Sequence, residues 1–167
     1  MGAGKTSVGR VLAQQLNWTF EDLDDRIIAR QGRSIADIFR NQGESAFRRA
    51  EHESLRQVLG ELAAAGGRVV ALGGGAFAQP SNAALLKAAG LPTVLLDAPA
   101  QDLWLRCQRQ ADSTGTERPL LKSREEFQKL YRARRRAYTK ASFRVQTKGR
   151  TVDEVAAEIA EILSLND

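Results

Sequence analysis

Met1-Gly2-Ala3-Gly4-Lys5-Thr6-Ser7-Val8-Gly9-Arg10 opens the chain, and its reading decides the fold. Gly4-Lys5-Thr6 is the closing half of the phosphate-binding loop G-x-x-x-x-G-K-[ST]. In that motif backbone N–H groups cradle phosphates, the Lys reaches the β and γ oxygens, and the Ser or Thr hydroxyl binds Mg²⁺. Gly2, Ala3, Gly4, Lys5, Thr6 and Ser7 are therefore candidate nucleotide-binding residues, with Thr6 a candidate metal ligand. Val8, Val11, Leu12 and Leu16 follow at helical spacing. The helix they predict would point its positive N-terminal end at the bound anion. The first glycine of the motif would stand two residues before Met1, as would the strand that delivers such a loop.

The 167 residues, 43% apolar and 27% charged, suit one globular domain with a core large enough to fold alone. No apolar run approaches the ~20 residues that span a bilayer. A single cysteine, Cys107, rules out an internal disulfide framework and fits a reducing cytoplasm. The net charge of +5 is spread along the chain with few aromatics beside it. That pattern points to small anionic substrates or plain solubility rather than to nucleic acid.

Outward from the loop, the pattern predicts a helix to about Leu16, a strand at Trp18-Thr19-Phe20 and a helix from Asp24 to Arg30 that Gly32 stops. Asp22 and Asp24, at i and i+2, would share one face if the chain stays extended. Ser34 is an expected N-cap with Asp37 in the first turn, and Glu44 to about Ala65 a long helix ending at Gly66-Gly67. Arg68 to Leu72 reads as a buried strand running into Gly73-Gly74-Gly75. Ala83–Ala89 is an expected helix, Thr93–Leu96 a strand, Gln101–Gln110 a helix, Ala111–Lys122 a polar loop and Glu125–Lys140 a basic helix. Phe143–Gln146 is the last strand, and Thr151-Val152-Asp153-Glu154 a capping box opening the last helix. Strands alternating with helices predict a single α/β domain with a parallel sheet. His52, the lone histidine, is expected at the surface, and Asp97 as a strand-end residue.

GAGKTSVGR, FEDLDDRI, SIADIF, GESAFRRAE, LGGGA, RPLL and a late R-x-x-x-Y stand in that order along the chain. Together, from Met1 to about Ala141, they resemble shikimate kinase, a small P-loop kinase of the nucleoside-monophosphate-kinase type. The resemblance implies a P-loop NTPase three-layer sandwich, a parallel sheet flanked by helices, with a lid at about residues 111–122. It implies transfer of the γ-phosphate of ATP, with Mg²⁺, to the 3-hydroxyl of shikimate by a cytoplasmic monomer. Arg48 and Arg134 match the arginines that bind the acceptor's carboxylate, whose planar forks give paired charge-assisted bonds, and Glu51 matches the acid that orients Arg48. The family's R-x-P-L-Y element reads Arg134-Arg135-Arg136-Ala137-Tyr138 here, which leaves Arg134, Arg135 and Arg136 open for that role. Asp24 matches the acid that grips the acceptor's hydroxyls, and Asp22 the acid near the metal and its waters. Gly73, Gly74 and Gly75 match the substrate turn, with Gly74 offering a direct N–H contact. Arg118 matches a lid arginine that closes on the phosphates beside Lys5. Arg109 and Arg150 are adenine-side candidates.

Two further readings stand beside this one. Gluconate kinase shares the P-loop and lid but lacks this D-x-D, Phe-Arg and Gly-Gly-Gly set. Shikimate-kinase-like modules also occur fused to DNA-binding regulators, where they bind an effector without turnover. The family's central strand precedes its P-loop, so the working protein is expected to start upstream, with Met1 an internal methionine. Such a strand holds ~5–6 residues, and each large apolar side chain buried contributes ~1.5–3 kcal/mol.

Overall fold

The structure is a computed structural model describing residues 2–62, 66–114 and 123–165, with the backbone alone for 110–114. In chain order it runs α1 (Lys5–Gln15), β1 (Thr19–Asp22), α2 (Leu23–Gln31), α3 (Ile35–Glu61) and β2 (Arg68–Ala71). A 3-10 turn at Ala76–Ala78, α4 (Pro80–Ala88), β3 (Val94–Asp97) and α5 (Ala100–Thr114) follow. The chain closes with α6 (Arg124–Tyr138), β4 (Phe143–Gln146) and α7 (Val152–Ile162).

The strands form two parallel pairs. β1 lies against β2 with Phe20 opposite Val69 and Asp22 opposite Ala71, and β3 lies against β4 with Leu96 opposite Val145. An apolar cleft of about 640 Å³, lined by Val8, Leu12, Val70, Leu95, Leu96 and Ile159 among others, separates β2 from β3. Parallel register puts the carboxyl ends of β1 and β2 side by side. Everything that leaves those ends therefore meets at one rim, which is where open α/β sheets place ligands.

Two apolar cores hold that rim. In one, Leu12 of α1, Leu96 of β3, Leu103 of α5, Phe127 of α6, Val145 of β4 and Ile159 of α7 pack together. It fixes the P-loop, through α1, against the helix that carries Arg134. The other joins Leu23 and Ile27 of α2 to Ile38, Phe47, Leu55 and Val58 of α3. It fixes Asp24 of α2 relative to Arg48 and Glu51 of α3. The apolar spacing of α1, α3 and α7 in the sequence follows from these contacts.

Several sequence expectations shift. The two expected segments, from Ser34 and from Glu44, are present as two helices, numbered together as α3, that meet at a non-helical Gly43 whose φ of 79° suits glycine. Gly43 offers a kink instead of a gap because cores on both sides keep the chain in line. β1 extends to Asp22 rather than ending at Phe20. Asp22 then N-caps α2, taking the Asp24 amide on its side chain, so Asp22 and Asp24 are not both extended. A cap is the more stable use of a carboxylate there because it satisfies an otherwise orphaned helix N–H. α5 runs on through Thr114, so 111–114 are helical; 115–122 lie outside the described residues. Pro80 starts α4 earlier than expected, at a position where its missing N–H costs nothing. His52 is half-buried, its Nδ1 lying 2.8 Å from the Oδ1 of the fully buried Asn82. Asn82 in turn donates to the Ala76 carbonyl at 3.1 Å, tying the turn after β2 to α3 and α4.

Phe127 is wholly buried, with its ring centroid 5.4 Å from that of Trp104 and 6.2 Å from that of Tyr131. Phe127→Ala is expected to lower unfolding free energy by ~3–5 kcal/mol, read by urea titration.

Candidate active site

At the P-loop, Gly4 adopts φ 83°, a left-handed conformation that needs no Cβ, and α1 starts at Lys5. The Thr6 hydroxyl donates to Asp22 Oδ2 at 2.8 Å, and the Asp24 amide donates to Asp22 Oδ1 at 3.0 Å. Asp22 thus joins the loop's helix to α2. Because the hydroxyl hydrogen is committed to Asp22, the Thr6 oxygen keeps lone pairs free for a cation.

Asp24 sits in the first turn of α2 with its Oδ1 buried and without a hydrogen-bond partner. Burial raises its pKa above the ordinary aspartate value; Asp22 and Asp25 add to the rise, and Lys5 and Arg48 oppose it. A Cβ on Gly73 would stand 2.5 Å from that Oδ1, so glycine is needed for the turn after β2 to come this close. An orphaned, buried carboxylate oxygen costs free energy unless a ligand's hydroxyl completes it.

Arg48, half-buried on α3, donates to both oxygens of Glu51 at 3.1 and 2.9 Å and to Glu44 at 3.2 and 3.0 Å. Burial alone would depress the Arg48 pKa, but Glu51 and Glu44 more than offset it. Glu51 is wholly buried, and burial pushes its carboxyl up against the pull of Arg48. A Cβ on Gly75 would meet the Arg48 guanidinium at 2.6 Å. From α6, buried Arg134 donates to the Gly74 carbonyl at 3.0 Å, and the Tyr138 hydroxyl donates to the same oxygen. Arg135 instead pairs with Asp97, and Arg136 is exposed. Of the three arginines only Arg134 faces the rim. Asp24, Arg48, Gly73, Gly74, Gly75 and Arg134 converge there, with Glu51 behind them and Tyr138 one turn beyond Arg134.

A second cavity, about 280 Å³, lies beside the P-loop and is lined by Gly4, Ser7, Arg106, Thr147 and Arg150, among others. Arg106 donates to the Thr147 hydroxyl at 3.0 Å and to its carbonyl at 3.1 Å. Arg150 pairs with Glu158 and donates to the Glu154 carbonyl at 3.0 Å. Arg109, expected at this side, is exposed and does not line the cavity. One turn earlier on the helix, Arg106 lines it, held by Thr147 just after β4. The i, i+3 spacing of the two arginines was the only sign of it in the sequence, and it does not choose between them. Tyr138, the last residue of the R-x-x-x-Y element, joins the rim through the Gly74 carbonyl, a contact its motif does not foretell. Arg118 lies outside the described residues.

The rim can hold an anion, a cation and a polar acceptor at once. Among the described residues no group of three or more His, Cys, Asp or Glu side chains could hold a metal ion. One hydroxyl and one carboxylate suit Mg²⁺, which keeps waters and shares substrate phosphates rather than filling an all-protein cage.

Removing the Asp24 charge is expected to stabilise the fold. A carboxyl whose folded pKa is raised binds its proton more tightly when folded, so the ionised form weighs against folding above that pKa. Asp24→Asn should therefore unfold at higher urea than the parent near neutral pH. The gap should close as pH falls below the ordinary aspartate range, where both forms are neutral. Urea titrations at neutral and acid pH check both parts.

Comparison with known proteins places this geometry. The shikimate kinase family model matches residues 1–164. The shikimate kinase of Geobacter sulfurreducens is 43% identical over 163 residues, 96% of this chain and 84% of that protein. A shikimate kinase of Thermus thermophilus is 42% identical over 166 residues, 98% of this chain and 85% of that one. Among solved structures, a shikimate kinase from Acinetobacter baumannii in complex with shikimate superposes with a TM-score of 0.86 at 33% identity, covering 99% of this chain and 90% of that one. The shikimate kinase of Aquifex aeolicus gives 0.82 at 34% identity, covering 99% and 93%. These neighbours share the P-loop NTPase fold, and with a match that runs nearly end to end this chain belongs to the shikimate kinase family.

Proposed function

We propose that this protein transfers the γ-phosphate of ATP to the 3-hydroxyl of shikimate, giving shikimate 3-phosphate. The observation that carries the reading is the unpartnered, buried Oδ1 of Asp24 on the rim it shares with Arg48 and Arg134. One carboxylate awaiting a hydroxyl beside two guanidiniums is the complement of a small hydroxylated carboxylate. The solved Acinetobacter baumannii relative is described in complex with shikimate, which supports the same acceptor.

Each residue has a physical part. Arg48, held by Glu51, and Arg134, held on the Gly74 carbonyl, take the acceptor's carboxylate between them. Asp24 accepts the hydrogen of the reacting hydroxyl, orients it and receives its proton as it attacks. Its raised pKa makes it the stronger base for that step. Lys5 and the amides of Gly2 to Thr6 hold the phosphates, and Thr6 with Asp22, through water, would hold Mg²⁺. Mg²⁺ would supply charge neutralisation between the transferring oxygens. Arg106 and Arg150 flank the cavity for the base, and Arg118 supplies a further cation from the lid.

The direct test is ATP consumption by the purified chain with shikimate, gluconate or nucleoside monophosphates. Turnover with shikimate alone is expected, and turnover with either other acceptor in its place overturns the reading. Arg48→Ala and Arg134→Ala are each expected to weaken shikimate binding by ~2–5 kcal/mol with ATP binding little changed. Titration calorimetry with each ligand measures this, and equal losses for both ligands would refute the acceptor assignment. Asp24→Asn is expected to keep its fold and lose turnover by ~10²–10⁴-fold, because an amide can hold a hydroxyl but cannot take its proton.

A further inference from the structure

Asp97 is a buried carboxylate that the reaction does not use. It ends β3 with 5% of its surface exposed. Arg135 of α6 donates to its Oδ1 at 2.6 Å and its Oδ2 at 3.3 Å, and Arg144 Nε donates to Oδ2 at 2.7 Å. Gln146 adds a longer contact at 3.4 Å. Burial alone would raise the Asp97 pKa, but the two arginines hold it below the ordinary value, so it stays ionised. Arg135 also lies over the Tyr131 ring, 5.8 Å from its centroid, one turn back on the same helix. Its guanidinium is therefore held from two sides.

The placement of neighbours on α6 gives this pair a consequence. Successive residues on a helix point ~100° apart, so Arg134 and Arg135 cannot serve the same strand. Arg134 reaches the turn after β2, while Arg135 reaches the end of β3. α6 thus spans the cleft between the two strand pairs with one arginine on each bank. Tyr138, four residues past Arg134, stands on its side of the helix and grips the same Gly74 carbonyl. Turning α6 about its axis would break the Asp97 pair and swing Arg134 off the rim together. A buried ion pair adds little net stability over an apolar pair, and its best-attested use is to set register.

We propose that Asp97 is a positioning residue for the acceptor: through Arg135 it fixes the rotation of α6 and so aims Arg134 at the substrate's carboxylate. The inference rests on the acceptor reading above. Arg144 provides the internal control, since it holds the same carboxylate from β4 and, among the described residues, makes no direct hydrogen bond or ion pair to α6.

The test compares Arg135→Met, Arg135→Lys, Asp97→Asn and Arg144→Met by KM for shikimate, KM for ATP, kcat and melting temperature. Arg135→Met and Asp97→Asn are expected to raise KM for shikimate on the order of tenfold, with KM for ATP within about twofold. Arg135→Lys, which keeps the charge, should recover part of that loss. Arg144→Met should leave KM for shikimate unchanged whatever it does to melting temperature. Equal rises in both KM values, no rise in either, or the same rise in Arg144→Met overturns the inference. If Arg135→Met or Asp97→Asn does not fold, Arg135→Lys and Arg144→Met decide it on the same readouts: no rise in KM for shikimate with Arg135→Lys overturns it. Wild-type turnover of shikimate with unaffected variants overturns the positioning role alone. Absence of wild-type turnover overturns the acceptor reading and this one with it.

Discussion

Parallel pairing of β1 with β2, with Asp22 opposite Ala71, is the constraint on which the site depends. Two aligned strand ends deliver the D-x-D segment and the Gly-Gly-Gly turn to one place. A slip of one residue would turn every β1 side chain to the opposite face and take Asp22 away from Thr6. The pairing is held from below by the core of α2 and α3, which packs the helices that follow and precede these strands. The site inherits its precision from that packing rather than from its own contacts.

Electrostatics at the rim are arranged around an imbalance. Glu51 is matched by Arg48, and Asp97 by Arg135 and Arg144, so these buried carboxylates have their countercharges in place. Asp24 also has a buried oxygen, but no hydrogen bond reaches it; burial first, then Asp22, raise its pKa against the pull of Lys5 and Arg48. The fold thus keeps one carboxylate under-satisfied at the point where the proposed reaction would orient and deprotonate a hydroxyl. Local cost in exchange for a poised base is how one scaffold carries acid–base chemistry near neutral pH.

α6 has the most divided task. Phe127 and Tyr131 anchor its first half to α5 and the larger core, while its second half reaches both strand pairs through Arg134, Arg135 and Tyr138. A helix bound at both banks of the cleft can present a guanidinium in one orientation only. An arginine free to choose among its many rotamers would lose more entropy on binding its ligand.

The sequence by itself determined the fold class, the phosphate loop, the family and most of the rim, because these are written in local patterns. Gly4-Lys5-Thr6 ahead of an amphipathic helix, Asp22 and Asp24 after a strand, Phe47-Arg48 and three consecutive glycines each carry their meaning within a few residues. Tertiary structure alone decided what depends on rotation and distance. It chose Arg134 over Arg135 and Arg136, since three adjacent arginines look alike until a helix is docked and only one of them faces Gly74. It set Arg106 rather than Arg109 beside the P-loop, held there by Thr147, which is distant in sequence. It made Asp22 a helix cap and left the Asp24 Oδ1 without a hydrogen bond, which no spacing reveals, because hydrogen-bond satisfaction is counted only once every neighbour is in place.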